Sequence, residues 1–325
     1  MANVIRVHET GGVDVLRYET VEVGDPGPGQ VSLRQTAIGL NFIDVYFRTG
    51  LYPPPALPFT PGLEAAGVVE AVGEGVSEVT VGQRVAYAAP PIGAYAEERL
   101  MAADRLVPLP DGISDELAAA MMLKGMTAHY LLRRTFRIEP GQTILFHAAA
   151  GGVGLIACQW AKHLGAEVIG TVGSDAKAAL ARDHGCAHVI RYDQENVVER
   201  VKEITGGKGV PVVYDSVGQS TFESSLDCLA PLGMLVSFGQ SSGKIPPFDL
   251  GVLSAKGSLF VTRPTLMTYT AARSDLLAAA KELFEVIESG AVKIEINQRF
   301  PLKEAAAAHR ALEGRKTTGS TLLMP

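Results

Sequence analysis

The sequence predicts an α/β protein built from a doubly wound parallel sheet and a separate β-rich domain. Three observations carry that expectation. From Pro140 onward, short apolar strands alternate with helical stretches, the pattern of a parallel sheet covered on both faces. The first hundred residues instead read as strands between Gly/Pro turns. At residues 143–162 a strand runs through glycines directly into a helix. A chain of 325 residues is also longer than one compact core usually holds, so two domains are expected.

In chain order, VIRVHE, LRYETVEV, QVSLRQTAIGL, AGVVEAVG and QRVAYAA alternate or run apolar, separated by turns such as GDPGPGQ. The run LNFIDVYFRTGLYPPP (40–55) places Asn41, Asp44, Tyr46 and Tyr52 in an apolar, proline-ended stretch with no nearby His or Cys. SDELAAAMMLKGMTAHYLLRRTF then takes up a helical period, with Ser114 as N-cap and Asp115 and Glu116 in the first turn. The later strands are TILFHAA, EVIGTVG, HVIRY, VPVVYDSV, MLVSFG and SLFVTR, and helices are expected at about 153–164, 175–184, 194–204, 220–229 and 271–288. The last thirty residues read as strand, helix, strand, returning to the first domain.

Composition excludes several classes. A net charge of −6 without a basic tract argues against nucleic acid as partner. The N-terminus has no apolar signal-peptide core. The most apolar window, about 144–161, is interrupted by His147, Gly151 and Gly152 and reads as strand, turn and helix rather than a membrane span. Cys158, Cys186 and Cys228 are odd in number, widely spaced and form no CxxC. That usage suits free thiols in a reducing cytoplasm.

The strongest motif is TILFHAAAGGVGLIACQWAK. It matches A-x-G-x-x-G through Ala149, Gly151 and Gly154, so alanine stands where the strict dinucleotide fingerprint has its first glycine. Gly151, Gly152 and Val153 would hold a pyrophosphate at a helix N-terminus, where free N–H groups and the dipole favour anions. The acid that normally follows about 20 residues later, and would repel a 2′-phosphate, is missing; Thr171 occupies the position. Gly173, Ser174 and Lys177 come instead, with Tyr192 after the next strand, so the expected cofactor is NADP(H) rather than NAD(H). Asp175 complicates the phosphate site, unless it is simply an early helix residue favoured by the dipole. Lys177 taken alone would read as a solvated helix lysine.

Other motifs are set aside. Gly239-Gln240-Ser241-Ser242-Gly243 matches G-x-S-x-G, but Lys244-Ile245-Pro246-Pro247 follows where a hydrolase elbow needs a helix. It reads better as a loop beside a nicotinamide. His184, Cys186 and His188 straddle a helix end and a strand and should not share a face. His147 reads as a satisfied core histidine, and Gly206-Gly207-Lys208-Gly209 as a turn lacking the Ser/Thr of a P-loop.

The series N-F-I-D-x-Y (41–46), G-L-Y-P-P (50–54), P-G-x-E-A-A-G (61–67), A-A-A-G-G-V-G (148–154), Y-D-S-V-G (214–218), V-S-F-G (236–239) and V-T-R-P (261–264) resembles the zinc-free NADPH:quinone oxidoreductases. These form the zeta-crystallin-like branch of the medium-chain dehydrogenase/reductase superfamily. The resemblance spans essentially the whole chain, in order. It implies a GroES-like catalytic domain at 1–123 and 265–325 and a Rossmann domain at 124–264, with NADPH in the cleft between them.

Zinc-dependent members of that superfamily ligate the metal through a Cys, a His in G-H-E, and a later Cys. The matching places here look like Asn41, Leu63 and Leu123, which supply neither thiolate nor imidazole. The acceptor should therefore need no Lewis acid, which suits a quinone, whose developing phenolate requires only hydrogen-bond donors. The resemblance makes Asn41, Tyr46, Tyr52 and Arg263 candidate donors or positioners. Alternatively Tyr52 packs a loop, Arg263 anchors a strand end and Asp44 caps or braces. Thr127 and Tyr130 fall at the nicotinamide and ribose end; Val217, Phe238, Gly239 and Ser241 flank the nicotinamide, and Asn41, Phe42 and Ile43 join the cofactor contacts. A homodimer through the strand SLFVTR is also implied. The rival readings are a reductase of α,β-unsaturated carbonyl compounds, and a non-catalytic nucleotide-binding or structural protein.

Overall fold

The structure is a computed structural model that describes all 325 residues. Its elements in chain order are β1 (Ala2–Val7), β2 (Leu16–Val21), β3 (Gln30–Leu40), α1 (Phe42–Thr49), β4 (Glu64–Val72), β5 (Arg84–Ala88), β6 (Glu98–Ala102), β7 (Val107–Pro108) and α2 (Asp115–Tyr130). The alternating part follows as β8 (Thr143–Phe146), α3 (Gly152–His163), β9 (Glu167–Val172), α4 (Asp175–Asp183), β10 (Cys186–Arg191), α5 (Val197–Ile204), β11 (Val210–Asp215), α6 (Phe222–Asp227), β12 (Leu229–Ser237), α7 (Gly251–Ala255) and β13 (Phe260–Thr262). The chain closes with α8 (Leu266–Tyr269), α9 (Arg273–Glu288), β14 (Ile296–Pro301), α10 (Ala305–Glu313) and β15 (Ser320–Met324).

Two compact units result: Met1–Met126 with Thr270–Phe284 and Ile294–Pro325, and Thr127–Tyr269 with Glu285–Lys293. The expected ranges 1–123, 124–264 and 265–325 differ from these units most at residues 285–293, which lie with the second unit.

The first unit holds a seven-stranded sheet of order β14-β15-β3-β4-β5-β7, with β6 also pairing β3, and a two-stranded β1–β2 ribbon. Long β3 is its axis. Its start pairs with β6 and its end with β15, so the C-terminal strand is tied directly to the segment leading into α1. Val31, Leu33, Ile38, Leu40, Val85, Tyr87, Tyr95 and Leu323 pack in its core.

The second unit holds a six-stranded parallel sheet of order β10-β9-β8-β11-β12-β13. Counted from β8 this is the order 3-2-1-4-5-6 of dinucleotide-binding folds, with its switch point between β8 and β11. Leu145, Ile169, Ile190, Val213 and Leu235 fill its core. At the switch point the carboxyl ends of β8 and β11 open into the loops around Ala148–Gly151 and Ser216–Gly218.

Three helices lie outside the sequence expectation. Residues 42–49 form α1 rather than a loop. With eight residues, several of them β-branched or aromatic, it is too short to display a helical period. It is fixed at its ends instead: Asp44 Oδ2 accepts the Asn41 backbone N–H at 2.9 Å, and Gly50 ends it in the left-handed region at φ 78°. Short α7 and α8 sit where only strands and turns were expected.

Ser114 caps α2, accepting the Leu117 N–H on Oγ at 3.2 Å. Ser114→Ala should cost about 1 kcal/mol, read as a lowered urea midpoint with an unchanged slope.

Candidate active site

In the first unit, positions 41, 64 and 123 converge on one carboxylate. Glu64, at the start of β4, is fully buried. Its Oε2 accepts Asn41 Nδ2 at 2.6 Å and Lys124 Nζ at 3.1 Å, and its Oε1 accepts the Leu123 backbone N–H at 2.7 Å. The local sequence makes this possible at Gly39: any Cβ there would overlap Glu64 Oε2 and the Ala119 carbonyl. Of the places that look like zinc-ligand positions, 41 and 123 are thus tied to Glu64 through an amide and a backbone N–H, and Leu63 is a buried leucine beside it.

The side chain of Asn41 is engaged within the fold. Its Nδ2 donates to Glu64 and lies 3.4 Å from the Gly39 carbonyl. Its Oδ1 faces the Asp44 backbone N–H, the reciprocal half of the capping box that opens α1. Tyr46 is buried against its neighbours, its ring edge-on to Tyr52 at 5.1 Å and tilted on Phe42 at 5.9 Å. Tyr52 also meets Phe47 edge-on at 5.8 Å, and its N–H donates to the Tyr46 carbonyl. The tyrosines form one aromatic cluster around α1, with Phe42 and Ile43 half-buried beside it.

Behind α1 lies a buried polar row that sequence reasoning missed apart from Asp44. Tyr95 Oη is 3.0 Å from Asp44 Oδ2 and 3.0 Å from His309 Nε2. Arg48 Nη1 is 3.2 Å from His309 Nδ1, and Arg48 is gripped by both carboxylate oxygens of Glu313 at 2.8 Å. Burial pushes the Asp44 carboxyl up to about 7, against the lowering effect of its hydrogen bonds from Asn41 and Tyr95. Burial likewise pushes His309 down to about 3, and raises the Tyr95 hydroxyl well above its usual range. The available signals were a lone histidine on an alanine-rich helix and the Glu in P-G-x-E.

In the second unit the glycine turn leads into α3 with Gly151 as extended N-cap. The first amides of α3, from Gly152 onward, have no acceptor inside the helix and can meet an anion. Gly154 allows the tight strand–helix approach, since a Cβ would lie 2.5 Å from the Ala148 carbonyl oxygen. Ser174 caps α4, accepting the Lys177 N–H at 3.3 Å, so its side chain and the start of α4 face the same end. Tyr192 packs over Gly173. Asp175, the expected complication, forms an ion pair with Arg191, which also binds Asp193. A 2′-phosphate would meet a carboxylate already paired with a cation. These residues fit the pyrophosphate and phosphate of NADPH.

The loops after β11 and β12 are braced from within. Asp215 Oδ1 accepts the N–H groups of Val217 and Gly218, and its Oδ2 accepts Thr221 and Ser225 hydroxyls. Arg263 Nη1 donates to the carbonyls of Ser237 and Gly239 at 2.9 Å each. Through Nη1, Arg263 anchors the strand end. Phe238 packs on Phe146, and Ser241 N–H donates to the Ser216 carbonyl. Thr127 is buried, and Tyr130 stacks on Tyr269 at 4.6 Å.

The remaining motifs resolve simply. His147 is bonded to Thr171 and Ser225. His184 bonds to the Leu180 carbonyl while His188 pairs with Glu167. No helix follows Gly243 until α7.

A GroES-like lobe and a 3-2-1-4-5-6 parallel sheet with a glycine loop define a medium-chain dehydrogenase/reductase, here without zinc-ligand side chains. Comparison with known proteins agrees: residues 27–111 match the alcohol dehydrogenase GroES-like domain, and 152–283 the zinc-binding dehydrogenase domain. A quinone oxidoreductase of Pseudomonas aeruginosa is 58% identical over the full length of both chains. The crystal structure of Escherichia coli quinone oxidoreductase complexed with NADPH superimposes with a TM-score of 0.98 at 52% identity, covering all of both chains. A 2-haloacrylate reductase of Burkholderia is 50% identical over 98% of each chain. The chain belongs to the quinone oxidoreductase family.

The buried carboxyl gives a pH prediction. Between pH 4 and 7, folded Asp44 keeps a proton that the unfolded chain has lost, so its contribution to stability falls as pH rises. His309 acts oppositely: neutral when folded, it loses stability as pH falls from 6.5 toward 3. Asp44→Asn should remove only the first effect. Urea unfolding at pH 5 and pH 8 should show the variant gaining about 3 kcal/mol on the wild type over that interval.

Proposed function

We propose that this protein is an NADPH-dependent quinone reductase that transfers hydride without zinc. The observation that carries the reading is the presence of Asn41, Leu63 and Leu123 at the places that look like zinc-ligand positions, with Asn41 and the Leu123 N–H bonded instead to Glu64. Asn and Leu cannot hold the metal, and a quinone does not need it. The family relationship and the NADPH-complexed neighbour support the same reading.

NADPH, when bound, supplies the hydride. The work of this chain is binding and orientation. Gly151, Gly152 and Val153 offer backbone amides to the pyrophosphate. Gly173, Ser174, Lys177 and Tyr192 take the adenosine phosphate. Val217, Phe238, Gly239 and Ser241, on loops braced by Asp215 and Arg263, serve the nicotinamide, as do Thr127 and Tyr130. Asn41, Tyr46 and Tyr52 position a flat acceptor, the tyrosines with their ring faces and hydroxyls.

The second reading is reduction of an activated alkene, favoured by the 50% identical 2-haloacrylate reductase. Relative rates with a quinone and a conjugated alkene separate the two. Three buried, free cysteines suit a cytoplasmic location, and no helix is long and apolar enough to cross a membrane. A homodimer is proposed through β13, an edge strand paired only with β12, on which Phe260 is 55% exposed.

The decisive assay follows loss of reduced nicotinamide absorbance with benzoquinone in the presence of a chelator. NADPH should be consumed rapidly and NADH slowly; a faster NADH rate would overturn the phosphate assignment. Lys177→Ala should raise the KM for NADPH roughly tenfold, as expected for one lost charge-assisted contact, and leave that for NADH unchanged. Sedimentation of Phe260→Glu should show monomers where the wild type sediments as a dimer.

A further inference from the structure

Asn41 is held from two sides. Its side chain is turned on Glu64, and its backbone N–H points to Asp44 Oδ2. Behind Asp44 the direction of each hydrogen bond is dictated by chemistry. Arg48 can only donate, so His309 Nδ1 must accept and Nε2 must carry the proton. That proton points to Tyr95 Oη, and the Tyr95 hydroxyl proton therefore goes to Asp44 Oδ2. Every donor in the row runs toward Asp44. The far end is anchored, because Arg48 is clamped by Glu313 and donates Nε to the Gly11 carbonyl at 3.1 Å.

Asp44 is completely buried, and its other oxygen, Oδ1, has no hydrogen-bond partner. A proton taken up by this carboxyl belongs on Oδ1, since Oδ2 already accepts two bonds. The titratable or charged groups around it are Tyr95 from the loop before β6, His309 from α10, Arg48 on α1 itself, Glu64 on β4 and Lys124 on α2, with the more remote Tyr87 on β5 and Arg99 on β6. Lys124 is already bonded to Glu64, which leaves Asp44 the carboxyl without a cation in direct contact.

We propose that Asp44 is the positioning residue for Asn41, backed by Tyr95 and His309, and that turnover follows the charge on Asp44. As a carboxylate it grips the Asn41 N–H and the Tyr95 hydroxyl by charge-assisted bonds; as a neutral acid it grips both weakly. The Asn41 residue, held by its backbone N–H on Asp44 and its Nδ2 on Glu64, is fixed most firmly when Asp44 is ionised. The turnover part rests on the quinone-reductase reading; the coupling of Asp44 to Asn41 does not.

The chain has few asparagines, so selective ¹⁵N-Asn labelling isolates the Asn41 amide in ligand-free protein. In the wild type its proton signal should move downfield as pH rises through neutrality. The movement should vanish in Asp44→Asn, and shift to higher pH in Tyr95→Phe, where the carboxylate has lost a donor. His309→Gln serves as the second variant, with a smaller shift in the same direction. The kcat/KM for benzoquinone with NADPH should rise about tenfold through the same interval, the change expected for one charge-assisted bond. It should stay low and flat in Asp44→Asn. An Asn41 signal that does not titrate, or titrates identically in Asp44→Asn and Tyr95→Phe, overturns the proposal. So does a kcat/KM limb that persists in Asp44→Asn. A titrating amide without any quinone turnover would refute the quinone reading and leave the positioning role standing.

Discussion

The buried carboxylate of Glu64 is the constraint around which the first unit is arranged. It gathers the end of β3, the N-terminus of α1 and the middle of α2 at one point, through Gly39, Asn41, Leu123 and Lys124. A charge placed there is tolerable only because it accepts hydrogen bonds on both oxygens and faces an ammonium group. Removing Lys124 or Asn41 would leave part of that charge uncompensated. The arrangement fixes the Asn41 amide, with Nδ2 on Glu64.

A second buried carboxyl, Asp44, is set three residues after Asn41 but under different conditions. It has hydrogen bonds from Asn41 and Tyr95 but no cation in contact, so burial dominates and raises its proton affinity. Two acids on one short path thus have separate tasks: Glu64 organises, and Asp44 responds to pH. The connection from Asp44 through Tyr95 and His309 to Arg48 and Glu313 brings the C-terminal helix into the support of α1, although about 260 residues separate them in the chain.

In the second unit, Asp215 and Arg263 hold main-chain groups of the loops after β11 and β12, Asp215 also accepting the Thr221 and Ser225 hydroxyls. Loops at the switch point of a parallel sheet are where ligands bind, and here they are stiffened from inside. At the start of α4, Arg191 pairs with both Asp175 and Asp193.

Much of this was legible in the sequence. The alternation after Pro140 announced the parallel sheet, because strand and helix periods are properties of consecutive residues. The glycine turn at 151–154 was readable because strand, turn and helix are contiguous there. The missing acid near Thr171 and the absence of thiolate or imidazole at 41, 63 and 123 likewise needed only residue identities. Helix α1 was not legible, since its stability comes from an end-cap and from packing rather than from a period. Nor was the hold of Glu64 on Asn41, the bracing by Arg263, or the row from Arg48 to Asp44. Those depend on which side chains meet across the fold. A hydrogen bond has a direction that composition and spacing do not carry, and the balance of burial against its hydrogen bonds sets whether Asp44 holds its proton near neutral pH.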